Sequence, residues 1–238
     1  PNFLSYSISD LESVLAPLPD KILCNGPFFR KQLAADGFPP KILSVGPALR
    51  YKHLFETDNL LPDNYHKTWD IFCPLPLMIE DCRELLLKVC NAYSRTDYRV
   101  CIKPHPIADV DSIPNLLGES RLPSSMKIIS DRPVDDLIRS SRVVVGLASS
   151  TLFEAVCIGV EVIVVSRDTG LNFNPLEYFP DINKVAYSED DLDKMTRDIL
   201  NKKQENRRQF QNRCEQIRTD SFSASTEDAM KSFFPEQL

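Results

Sequence analysis

Short apolar runs separated by amphipathic stretches recur along most of the chain, and their spacing predicts strands alternating with helices. Near the start, Lys21 to Cys24 and Lys41 to Val45 are such runs, and Pro27 to Ala35 between them predicts a helix closed by Gly37. From Lys52 to Lys67 the residues are polar, include Asp58, Asn59, Pro62, Asp63 and Asn64, and predict a linker. The rhythm then resumes. Trp69 to Leu75 predicts a strand, and Cys82, Leu85, Leu86, Val89, Cys90 and Tyr93 recur on one helical face. Tyr98 to Ile102 predicts a strand that stops at Lys103-Pro104-His105-Pro106, because proline has no N–H for the ladder. Lys127 to Ile129, Val143 to Leu147 and Val160 to Val165 predict three more strands. Between them fall two predicted helices: Pro133 to Arg139, opened near Asp131, and a helix opened by Ser149, Ser150 and Thr151 and stopped at Gly159. The tail from Ser188 onward reads as helical and strongly charged.

This alternation predicts an α/β fold, a Rossmann-like parallel sheet with helices on both faces, over residues 67–188. Such sheets bind ligands outside the carboxyl ends of their strands. The His105 turn and the Ser149 turn both fall there, so two polar motifs are expected to converge on one crevice.

Composition narrows the choice of ligand. The 28 Lys and Arg against 34 Asp and Glu leave a net charge of -6 over 238 residues, which argues against a general nucleic-acid or membrane-surface binder but leaves room for a local anion pocket. Glycine is scarce at 7 residues, and neither G-x-G-x-x-G nor G-x-x-x-x-G-K-[ST] occurs, so phosphate binding needs another device. No apolar run approaches the ~20 residues of a membrane helix, and residues 1–20 lack the pattern of a signal peptide, which predicts a cytoplasmic protein. Because the sequence opens on Pro1 rather than Met, further sequence upstream is expected. The 7 cysteines are scattered without C-x-x-C spacing and are expected to be reduced thiols.

Two motifs carry the candidate chemistry. Lys103 and His105, stiffened by Pro104 and Pro106, can offer a cation and an imidazole donor to a phosphate, and His105 can assist departure of a phosphate leaving group; a strand-ending turn with a structurally bonded His is the alternative. Ser149, Ser150 and Thr151 follow a buried strand and open a helix, where hydroxyls and first-turn N–H groups form an anion site. Thr151-x-x-Glu154 equally matches a capping box, and Glu154 is also within reach of a ribose when phosphate sits at the helix start. The basic residues of the tail are interleaved with Glu205 and Glu215 and read as a solvated helical face.

The pairing of Lys103-Pro104-His105-Pro106 with Ser149-Ser150-Thr151-Leu152-Phe153-Glu154-Ala155 resembles bacterial GT-B glycosyltransferases of capsule and lipopolysaccharide synthesis, most clearly those that use CMP-sugars. The resemblance implies that Lys103, His105, Pro106, Ser149, Ser150, Thr151 and Glu154 bind the nucleotide, with His105 stabilising the leaving phosphate. It implies transfer of a 2-keto sugar acid, Kdo or a sialic-type acid, from CMP to a surface glycan acceptor, with no metal and no cofactor beyond the donor. Residues 1–52 would end an N-terminal acceptor-side domain, 53–66 form the linker, 67–188 bind the nucleotide-sugar and 189–238 add C-terminal helices. In this family the catalytic base lies in the N-terminal domain, so no base is named here; Asp36-Gly37 reads as a helix end. The family works at the inner face of the cytoplasmic membrane, through other regions or partners. A CDP-alditol or UDP-sugar transferase of the same fold, or a non-catalytic binding domain, fits the motifs as well.

Overall fold

The computed structural model describes residues 7–56, 67–108, 110–118 and 122–233. The described residues of Leu60–Asn212 form one compact unit, and those of Asn2–Asn59 with Arg213–Leu238 form a second.

The second unit begins with helix α1 (Asp10–Leu15), capped by Ser9, followed by strand β1 (Ile22–Cys24), helix α2 (Pro27–Ala35), strand β2 (Leu43–Val45) and the short helix α3 (His53–Glu56). β1 and β2 pair in parallel, Leu23 opposite Ser44. Cys24, Ile42 and Leu43 form a small core with Phe29 and Leu33 of α2. Pro27 starts α2, where its missing N–H costs nothing, and Gly37 follows it at φ +95°, a left-handed position that glycine occupies without strain. The predicted linker is helical over His53–Glu56, and its part from 57 to 66 lies outside the described residues.

The larger unit is built on six parallel strands: β3 (Trp69–Pro74), β4 (Val100–Lys103), β5 (Met126–Ile128), β6 (Ser141–Gly146), β7 (Glu161–Val165) and β8 (Val185–Ala186). Their spatial order is β5-β4-β3-β6-β7-β8, the order of a doubly wound Rossmann sheet. Helices α4 (Ile79–Tyr93), α5 (Val134–Arg139), α6 (Ser150–Ile158) and α7 (Glu189–Leu200) flank it. Side chains alternate between the faces, as strand geometry requires. Ile71, Cys73, Val143, Val145, Ile163 and Val165 pack with Leu85, Leu86 and Val89 of α4 and with Leu192 and Ile199 of α7. The hydroxyls of Tyr93 and Thr196 join α4 to α7 at 2.7 Å.

Several expected boundaries move by one or two residues, and three features differ in kind. Residues Val110–Leu117 form a 3-10 helix between β4 and β5. β8 adds an edge strand. Helix α5 starts at Val134 after Pro133, with no side-chain cap, so Asp131 does not open it. Helices α8 (Gln204–Ser221) and α9 (Glu227–Met230) follow, and α8 contributes residues to both units. No disulfide joins the seven cysteines, all of which are buried. No helix among the described residues is long and apolar enough to cross a membrane.

Candidate functional site

The sheet order reverses between β3 and β6, and a cleft of about 240 Å³ opens at the carboxyl ends of β3, β4 and β6. Its walls come from Pro74 to Leu77 after β3, Lys103 to Pro106 after β4, and Ala148, Ser149 and Thr151 after β6. The loops after β3 and β4 are fastened together by the Leu75 N–H, which donates to the Lys103 carbonyl at 2.8 Å. Gly146 closes β6 where an added Cβ would lie 3.2 Å from Leu152 and 3.7 Å from Pro74, so the glycine lets α6 and the β3 loop approach the strand end.

His105 sits in a turn held by its own backbone and ring. Its carbonyl accepts from the Ala108 N–H at 2.8 Å, and its Nδ1 accepts from the Ile107 N–H at 3.3 Å. An accepting Nδ1 leaves the ring proton on Nε2, which is then the donor available to an oxyanion. Lys103 is buried, and its ammonium donates to the Ser130 carbonyl at 2.9 Å. It therefore braces the loop after β5 while placing a positive charge in the cleft wall.

At the other wall, Ser149 is the N-cap of α6, in extended conformation, and its Oγ accepts from the Thr151 N–H at 3.2 Å. The cap is thus Ser149, two residues before the Thr151 of the alternative Thr151…Glu154 capping box. An accepting hydroxyl keeps its own proton to donate, so capping does not remove Ser149 from ligand chemistry. The α6 dipole adds partial positive charge at this end, and Gly159, at φ +87°, terminates the helix as expected.

The structure thus brings Lys103, His105, Pro106, Ser149 and Thr151 to one cleft. Ser150 and Glu154 lie half-buried on α6 outside its lining. Sequence reasoning missed the Pro74 to Leu77 wall, although the Pro74-Leu75-Pro76 break after a buried strand was a usable signal.

It also missed Lys88. This lysine is 6% exposed, on the face of α4 that packs inward, and its ammonium donates to Ser166 O and Asp168 Oδ1 at 2.7 Å and to Glu84 Oε1 at 2.9 Å. Burial works against its charge, but the hydrogen bonds to Asp168 and Glu84 outweigh it and raise its pKa above the ordinary lysine value. Glu84 also accepts from the Asp168 N–H at 2.8 Å, and Arg167 pairs with Asp81 at 2.5 Å. Together these bonds tie the segment after β7, at the same edge of the sheet as the cleft, to α4. Lys88→Met should lower stability by about 1–3 kcal/mol, since it removes the cation from the half-buried Glu84 carboxylate and leaves it the Asp168 N–H. Urea unfolding measures this.

No protein-family model matches the chain, and no curated protein matches it in sequence. Solved structures match it in fold. A glycosyltransferase from Rickettsia africae superposes with a TM-score of 0.59 at 11% identity, over 96% of this chain and 66% of that one. A putative UDP-N-acetylglucosamine 2-epimerase from Listeria monocytogenes gives 0.55 at 18%, over 96% and 62%. Anabaena HepE, solved in complex with UDP-glucose, gives 0.53 at 11%, over 95% and 68%. The chain therefore has the Rossmann-like architecture of GT-B enzymes, and it spans 66% and 62% of the length of the first two.

Proposed function

We propose that this chain is the donor-binding part of a glycosyltransferase that uses a nucleotide-sugar. The observation that carries the reading is the cleft at the switch point, where the His105 turn and the capped start of α6 share one wall system. In the proposed reaction the bond between the anomeric carbon and the phosphate oxygen breaks, and negative charge gathers on the departing phosphate. His105 Nε2, the Ser149 hydroxyl, the first turn of α6 and the Lys103 ammonium are the groups that would stabilise that charge without reorganising. Side chains on a helix lean toward its N-terminus, which supports Glu154, one turn inside α6, as the ribose partner. The acceptor glycan and its catalytic base are assigned to parts of the enzyme outside the described cleft.

Two donor classes remain distinct. A UDP-linked sugar is favoured by the likeness to HepE, whose structure holds UDP-glucose. A CMP-linked 2-keto sugar acid is favoured by the His105-Pro106 and Ser149-Thr151 pair itself. Equilibrium dialysis against UDP, CDP and CMP at fixed salt separates them. Preference for UDP selects the first and preference for CMP the second, whereas no binding of any nucleotide at millimolar concentration contradicts the proposal.

A further inference from the structure

At the opposite end of the sheet, below the amino ends of β3, β6 and β7, lies a separate cavity of about 100 Å³. Among the described residues that line it, four are cationic, Lys67, Arg142, Lys202 and Arg207, and one is acidic, Glu161. We propose that this cavity is a second anion site that takes a compact phosphate group, either free or as the monoester of a lipid headgroup.

The charge balance carries the inference. Glu161 is already engaged on both oxygens, by Lys184 at 2.7 Å and by Lys202. Asp70, the next acid toward β3, accepts from the Arg99 N–H at 3.0 Å and from its guanidinium at 3.3 Å, and stands 3.8 Å from Arg142. Asp135 is taken by Arg139 at 2.8 Å. Arg207 is exposed on α8, and Arg142, whose guanidinium also donates to the Leu200 carbonyl, is 31% exposed, so both can be reached by a ligand. Among the described residues this leaves a surplus of positive charge, in a protein of net charge -6. Burial, followed by the fields of Arg139, Arg142 and Arg207, pushes the Lys67 ammonium down to about 7. Burial and Arg207 likewise lower Arg142. An oxyanion in the cavity would relieve both, and planar guanidinium groups match phosphate oxygens pairwise. The volume suits one phosphate group, well below the ~300 Å³ at which pockets begin to hold drug-sized ligands.

The test is calorimetric titration with sulfate, a dianion that does not titrate in the working range, on the whole chain at constant ionic strength. Arg207→Gln, at an exposed position that should fold normally, is expected to weaken binding by about tenfold, while Lys31→Gln, an exposed cation of α2 outside both cavities, leaves it unchanged. Lys67 is faced by Arg139, Arg142 and Arg207, with Glu161, Lys184 and Lys202 on the β7 side and Asp70 and Arg99 on the β3 side. The Lys67 proton leaves near neutrality, so wild-type binding should weaken by about tenfold from pH 6 to pH 8.5, and Lys67→Gln should remove that dependence. Sedimentation with phosphatidic acid vesicles, against phosphatidylcholine alone, distinguishes the sources: retention displaced by inorganic phosphate assigns a lipid headgroup, and sulfate binding without retention assigns a free phosphate. If sulfate does not bind, or if its binding is lost in His105→Ala and kept in Arg207→Gln, the second site does not exist.

Discussion

Gly26→Ala is expected to lower the stability of the unit formed by the chain's two ends by about 3 kcal/mol or more, the upper part of the range for overpacking. A Cβ at Gly26 would lie 2.3 Å from the Ser221 carbonyl oxygen, 2.4 Å from its carbon and 2.7 Å from the Phe222 nitrogen. These are backbone atoms, so no side-chain rotation relieves the clash. Gly26 itself is extended at φ -174°, a conformation open to any residue, which makes the cost purely steric. The strain falls where Phe222 is buried against Tyr51, ring centroids 4.2 Å apart, and where the Ser223 N–H donates to the Asn25 carbonyl at 2.7 Å. Gly118→Ala is the control. Gly118 has φ +63° with nothing within 4 Å of an added Cβ, so it should cost only the ~1–2 kcal/mol of a left-handed alanine. Equilibrium urea unfolding reads both.

His105→Ala should weaken nucleotide binding by about tenfold to a hundredfold, the equivalent of the ~1.5–3 kcal/mol carried by a hydrogen bond to a charged group. The ring is held by the Ile107 N–H at Nδ1, so truncation removes an Nε2 donor that is already oriented. His105→Gln, which places an amide N–H near the position of Nε2, should recover a large part of the loss. Equal losses in both variants would point to the ring's packing rather than its donor. Titration calorimetry with the preferred nucleotide gives the comparison.

Much of the larger unit was legible because its signals are local and repeat. The α4 stripe from Cys82 to Tyr93 is buried residue for residue, and the buried strands appear within a residue or two of their apolar runs. The convergence of His105 with Ser149 and Thr151 followed from connectivity alone, since carboxyl ends of parallel strands share one edge. Features set by tertiary context were not legible. β8 has two residues, too few for a period, and the turn at Val110–Leu117 carries Pro114, which hides an apolar segment that still packs inward. Lys88 carries no local signal of burial, because the Ser166 carbonyl and the Asp168 carboxylate that hold it come from a loop far along the chain. The start of α6 was legible in the Ser149-Ser150-Thr151 run, but which hydroxyl caps it was not, because Thr151…Glu154 also has the spacing of a box whereas the chain turns into the helix at Ser149. Nor does local pattern pair Phe222 with Tyr51.

The central claim is that the cleft at the ends of β3, β4 and β6 is a nucleotide site. Amide chemical-shift mapping of the isotopically labelled chain during titration with UDP, repeated with CMP, tests it most directly. Saturable shifts are expected at the amides of Leu75, Leu77, Lys103, His105, Ile107 and Ser149 to Leu152, with the larger response marking the donor class. Shifts confined to other parts of the sheet, or none with either nucleotide, would contradict it.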